Sequence, residues 1–204
     1  MRPWLYSTLY RLKVAPWDGE LRPEIVQLAD SGRITPERYP SVVDLGCGTG
    51  QEAVFLAERG FGVTGVDYTR VALRRARRRA AAAGVDGRCR FLHGDLTAPR
   101  IDGLAASYDL LLDFGTLDDL APEQRPAMAD TIRRLSAPGS LFLLWCFYAH
   151  REELPKPRWS GASKMLLTIT PGEEKELFGE WFDIERLPAP PPPENCACFL
   201  MTRR

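Results

Sequence analysis

From residue 41 onward, apolar positions follow two alternating rhythms. SVVDL (41–45), FGVTGVD (61–67), CRFLHGD (89–95) and YDLLLD (108–113) are short runs dense in branched and aliphatic residues. Such runs mark strands buried on both faces. Between the first two lies QEAVFLAERG (51–60), which sets Ala53, Phe55, Leu56 and Ala57 on or near one side of a helix. TRVALRRARRRAAAAG (69–84) is built from the strong helix formers alanine and arginine and is stopped by Gly84. PEQRPAMADTIRRLSAPG (122–139) predicts a further helix, and GSLFLLWCFY (139–148) a fifth strand. Strands alternating with helices predict a parallel sheet covered on both faces.

The tail departs from this rhythm. After a short helix at PGEEKELFG (171–179) come two strand-like runs, EWFDIERL (180–187) and CACFLMTRR (196–204), joined by PAPPPPEN. A proline-rich connection is too stiff for a helical crossover, so these strands are expected to pair antiparallel. The fold class predicted is α/β: a doubly wound, seven-stranded, mostly parallel sheet with an antiparallel C-terminal strand. Residues 41–204 form its core, and residues 1–40 precede the first strand as an extension rich in aromatics, among them Trp4, Tyr6, Tyr10, Trp17 and Tyr39.

Composition narrows the function. Basic and acidic residues balance at 27 each, which argues against nucleic acid as main partner. The run RRARRR then reads as the solvated face of its helix. No apolar stretch nears the ~20 residues of a membrane span, and the start MRPWLYSTLYRLKVAPW lacks the unbroken apolar core of an export signal. Five scattered cysteines then read as reduced thiols, and the chain as a cytoplasmic monomer or homodimer. Cys196 and Cys198, two apart on a strand, face one side and have no histidine nearby in sequence, so no metal site is expected.

The chemistry centres on VVDLGCGTG. Three glycines, Gly46, Gly48 and Gly50, follow a strand and open a helix, the place where a doubly wound sheet binds its ligand. The spacing G-x-G-x-G is not the G-x-G-x-x-G of a dinucleotide turn. An acid, Asp44, precedes it, which suits a cationic ligand better than a diphosphate. These residues resemble the D/E-x-G-x-G-x-G motif of class I S-adenosylmethionine-dependent methyltransferases. The next landmarks match in order: Asp67 and Tyr68 in GVDYT, Asp95 and Leu96 in HGDLT, and Asp113 with Phe114 in YDLLLDFGTLDDL. The resemblance implies S-adenosylmethionine as cofactor. Asp44, Gly46, Cys47, Gly48 and Gly50 would bind it at the glycine turn. Asp67 would accept from the ribose hydroxyls and Tyr68 lie on the adenine. Asp95 would take the adenine amino group, Leu96 pack on the ring, and Asp113, Phe114 and Gly115 line the pocket near the methionine end. Asp67 and Asp95 are also of a type that caps helices after strands.

A looser resemblance links APWDGELRPEIVQLAD to the segment before the core in thiopurine, thiol/halide and tellurite methyltransferases, with Trp17, Asp18, Gly19 and Pro23 as its matches. It implies that residues 1–40 form a lid and that Trp17 touches the acceptor; Trp17 anchoring the segment on the sheet is the plain alternative. DFGTLDDL also resembles a phrase of some protein-lysine methyltransferases, although little chain remains for a docking domain. The expectation is methyl transfer to a small, apolar or aromatic acceptor, with a protein substrate or a non-methylating cofactor binder as alternatives. His150 and Asp118 are the candidate bases, the first equally a surface loop histidine. Tyr148 and Trp159, with Trp17, are candidate acceptor contacts, although strand aromatics are more often core.

Overall fold

The computed structural model describes residues 8, 10, 21–150, 152, 168–188 and 195–204. Trp17, Trp159 and the polyproline connector lie outside them. The elements are α1 (Pro23–Asp30), β1 (Ser41–Leu45), α2 (Gln51–Glu58), β2 (Gly62–Asp67), α3 (Arg70–Ala82), β3 (Cys89–His93), β4 (Tyr108–Phe114), α4 (Arg125–Arg134), β5 (Ser136–Phe147), α5 (Glu173–Phe178), β6 (Phe182–Arg186) and β7 (Cys196–Arg203). The strands form one sheet in the order β3-β2-β1-β4-β5-β7-β6. Pairings are parallel except those of β7, which runs antiparallel to both β5 and β6. The predicted class and the antiparallel tail are both present.

Alternation along the strands divides the apolar side chains between two cores. Val42, Leu110, Leu112, Leu143 and Trp145 face α1, α2 and α3. Val43, Leu111, Phe142, Leu144 and Phe199 face α4 and α5. With both faces covered, the strands carry near-continuous apolar runs, which is why they stood out in the sequence. The chain order reverses between β1 and β4. Register aligns Leu45 with both Val66 and Asp113, and Phe114 with Trp145. The carboxyl ends of four strands therefore come level around that reversal.

One boundary differs from the sequence reading. SAPG, read as the end of a helix, belongs to β5, which starts at Ser136. Tyr108 pairs with Ser136 before the register shifts, and the Ser140 hydroxyl donates to the Tyr108 carbonyl at 2.7 Å while accepting the Ala137 N–H at 2.9 Å. A side-chain hydroxyl completing a bulged ladder leaves little trace in apolar periodicity.

Arg125 fastens the loop after β4. Its side chain is buried and pairs with both oxygens of Glu173, at 2.7 and 2.8 Å. It also donates to the carbonyls of Leu120, Asp118 and Thr168. Removing it strands a carboxylate and three carbonyls, so Arg125→Met should lower the unfolding free energy by about 3 kcal/mol. Glu173→Gln, which leaves the carbonyl bonds in place, should cost about 1 kcal/mol. Urea titrations of the two variants check the ranking.

Candidate active site

The glycine turn is held by its own hydrogen bonds. The N–H groups of Gly46 and Cys47 both donate to the Val66 carbonyl, at 2.8 and 3.0 Å, and Gly50 donates to the Cys47 carbonyl at 2.8 Å. Gly48 donates to Asp67 Oδ2 at 3.0 Å, while Asp67 Oδ1 accepts the Thr69 N–H at 2.6 Å. One buried carboxylate thus ties the turn to the start of α3. With four amides engaged inside the protein, the turn has no nest of free N–H groups to cradle a diphosphate.

The glycines are needed for two reasons, one of them not foreseen in the sequence. A Cβ on Gly46 would collide with the Thr116 hydroxyl, and one on Gly50 would press on Ala76 and Phe91. Those two positions are glycine because the protein packs on itself there. Gly48 differs: its missing Cβ faces the Tyr10 hydroxyl, 2.8 Å away, at the edge of an open cleft. The cleft has a cavity volume of about 60 Å³, and Asp44, Gly46, Gly48, Glu52 and Phe114 line it together with Tyr10 and Arg22. Cys47 presents its backbone there while its thiol is buried in the α2 core and raised well above the usual range, chiefly by burial.

Asp44 is the electrostatic centre of the cleft. It is 3% exposed, and its Oδ2 has no hydrogen-bond partner. Burial drives its pKa well above the carboxylate range, and the negative fields of Glu52, Asp113 and Asp67 add to the shift. Glu52 is itself raised, mainly by burial. An orphaned carboxylate oxygen among other acids is a poor neighbour for an anion and a good one for a sulfonium or ammonium. The residues present therefore fit a cationic cofactor.

Other residues named from the sequence occupy varied positions. Asp113 is fully buried, and its two oxygens accept the N–H groups of Thr116 and Leu117 at 2.7 and 3.0 Å. It shapes the turn after β4. Phe114 does line the cleft. Tyr68 is half-buried next to Asp67. Asp95 is exposed and accepts both the N–H and the hydroxyl of Thr97, and Leu96 packs in the α4 core.

On the acceptor side, Asp118 is 2% exposed. Its Oδ2 accepts the Phe147 N–H at 3.1 Å and its Oδ1 is unpartnered. Burial pushes its pKa up to about 7. His150 is exposed just past β5. Tyr148 donates its hydroxyl to Glu174 at 3.1 Å and stands edge-on to Phe199. It packs against α5 through that bond. Tyr10, Arg22, Glu52 and Thr116 were not singled out from the sequence. Thr116, inside the DFGTLDDL phrase, and Arg22, inside the APWDGELRPEIVQLAD segment, carried some signal there. Gly46→Ala should destabilise the fold by roughly 2–4 kcal/mol, from the strained positive φ and the displaced Thr116 hydroxyl. Thr116→Ala should cost about 1 kcal/mol, and thermal and urea unfolding compare the two.

Comparison with known proteins agrees with this geometry. A methyltransferase domain model matches residues 42–139. The 2-heptyl-1-hydroxyquinolin-4(1H)-one methyltransferase of Mycobacteroides abscessus is 29% identical over 133 residues, covering 65% of this chain and 56% of that protein. Thiocyanate methyltransferase 1 of Brassica oleracea is 30% identical over 133 residues, with 64% and 56% covered. The chain thus spans little more than half the length of these curated relatives. A solved structure described as converting a disulfide bond into a thioacetal group during echinomycin biosynthesis superposes with a TM-score of 0.74 at 25% identity, over 99% of this chain and 92% of that one. Residues 42–139 thus form a methyltransferase domain, and the sheet built on them has the fold of S-adenosylmethionine-dependent methyltransferases.

Proposed function

We propose that the chain transfers a methyl group from S-adenosylmethionine to a small acceptor, with Asp118 as the proton-accepting group. The observation that carries the cofactor half is the orphaned Asp44 oxygen in a cleft whose turn amides are already engaged. Asp44 faces the cationic methionine end, and Arg22, on the cleft wall, offers a counterion for the carboxylate. Asp67 keeps lone pairs for the ribose hydroxyls beyond its bonds to Gly48 and Thr69. Tyr68, Asp95 and Leu96 form the adenine end. Residues 1–40 act as a cover, a reading supported by Tyr10 and Arg22 on the cleft wall.

The cofactor, when bound, supplies an electrophilic methyl group on a sulfonium. The protein's share is chiefly position: well-oriented groups contribute up to ~7–11 kcal/mol. Asp118 lies level with the carboxyl ends of β4 and β5, held by the Phe147 N–H, and its second oxygen is buried without a partner. Its pKa near 7 leaves a useful fraction ionised at neutral pH. Asp118 is favoured over His150 because its unpartnered oxygen lies 3.8 Å from the Cβ position of Gly115, next in sequence to the cleft residue Phe114, whereas His150 is exposed. The names of the hydroxyquinolinone and thiocyanate relatives support a small-molecule acceptor.

Calorimetry is the direct test: S-adenosylhomocysteine should bind and NAD should not, and the reverse preference would sink the proposal. Asp44 also gives the sign of a pH effect. A bound cation favours its ionised form, so binding of S-adenosylmethionine should release a proton and tighten as pH rises. Titrations in buffers of different ionisation enthalpy measure that proton, and Asp44→Asn should abolish its release. Turnover should rise through pH of about 7 as Asp118 ionises. Asp118→Asn should flatten that limb and slow an oxygen acceptor by ~10²-fold or more, while His150→Ala leaves the rate unchanged.

A further inference from the structure

A second buried carboxylate has no part in the scheme above. Glu24 lies in the first turn of α1, 5% exposed, and neither of its oxygens has a hydrogen-bond partner. A helix N-terminus favours the negative charge, yet no helix N–H reaches this one. Keeping two carboxylate oxygens dry and unmet is costly, and a buried group of this kind calls for a ligand or a partner. α1 packs in the same core as Trp145, Cys196 and Cys198. The field of Glu24 bears on both thiols, which are raised chiefly by burial, and Asp118 and Arg22 also bear on Cys196. Cys196 pairs with Phe147, whose N–H holds Asp118. Asp118 Oδ1 and the Trp145 ring both lie 3.8 Å from where a Cβ on Gly115 would stand, and Arg22, two residues before Glu24, stacks on that ring, which brings the first turn of α1 and Asp118 to the same part of β5.

Resting on the methyltransferase reading, we infer that Glu24 sets acceptor specificity by receiving a cationic or N–H-donating group that the acceptor carries apart from its nucleophilic atom. Carboxylate oxygens accept hydrogen bonds, so the two unmet oxygens of Glu24 ask for donors. The nearby guanidinium of Arg22 is stacked on the Trp145 ring at 3.9 Å and makes no ion pair with Glu24. An acceptor bearing an ammonium meets complementary charge on this side, and an anionic one meets repulsion. The substrate class is thus a small amine-bearing nucleophile, unlike the thiocyanate in the name of one relative.

The test uses three probes that share a ring and differ in charge: benzylamine, benzyl alcohol and benzoate. Each is titrated calorimetrically into protein loaded with S-adenosylhomocysteine. Benzylamine should bind about tenfold or more tighter than benzyl alcohol, with benzoate weakest. Glu24→Gln should remove that preference, and Glu24→Asp, which keeps the charge, should retain most of it. Equal binding of the three probes by the wild type, or a preference that survives Glu24→Gln, overturns the inference. If Glu24→Gln fails to fold by circular dichroism, the wild-type ranking decides alone. Failure of S-adenosylhomocysteine to bind counts against the methyltransferase reading instead, and the same ranking on unloaded protein still reads Glu24.

Discussion

The Thr116 hydroxyl over Gly46 is the contact on which the site depends. It fills the space a side chain would take and donates to the Leu45 carbonyl at 3.0 Å, joining the end of β1 to the loop after β4. Asp113 sets that loop by accepting two of its N–H groups. The loop in turn carries Asp118 to the Phe147 N–H. A single chain of short bonds thus fixes the cofactor turn and the proposed base relative to each other, across the point where strand order reverses.

Around this frame, acidic groups do different work according to what meets them. Asp113 and Asp67 are buried and answered by backbone N–H groups, so they act as structural pins. Asp44, Asp118 and Glu24 are as deeply buried but keep oxygens unmet. Residue type does not separate these two sets; the supply of donors does. Arg125, with its side chain inside the protein, bonds to carbonyls and to Glu173 and leaves the acids of the cleft uncompensated.

The fold was legible in the sequence because both faces of the sheet are covered at its centre, where β1, β4 and β5 announce themselves as apolar runs. The boundary of β5 was not, since a hydroxyl and a bulge decide it. In the site, Asp44, Gly46, Gly48 and Phe114 were found by their order along the chain and do meet in one cleft. Asp113 and Tyr148 have the right residue type in the right region, yet their polar atoms turn inward to Thr116 and Glu174. Linear spacing reports which strand end a residue occupies, not which way its oxygen points. Tyr10 and Arg22 reach the cleft from ahead of the first strand by tertiary packing, and only the loose resemblance of residues 15–30 to a covering segment pointed there.

The self-bonded glycine bend has a further consequence for association. A loop that must be ordered by its ligand lends part of the interaction energy to that ordering. Here the amides of Gly46, Cys47, Gly48 and Gly50 already have their partners. The conformational entropy lost on docking falls mainly on the incoming nucleoside, and the receptor meets it as a rigid mould.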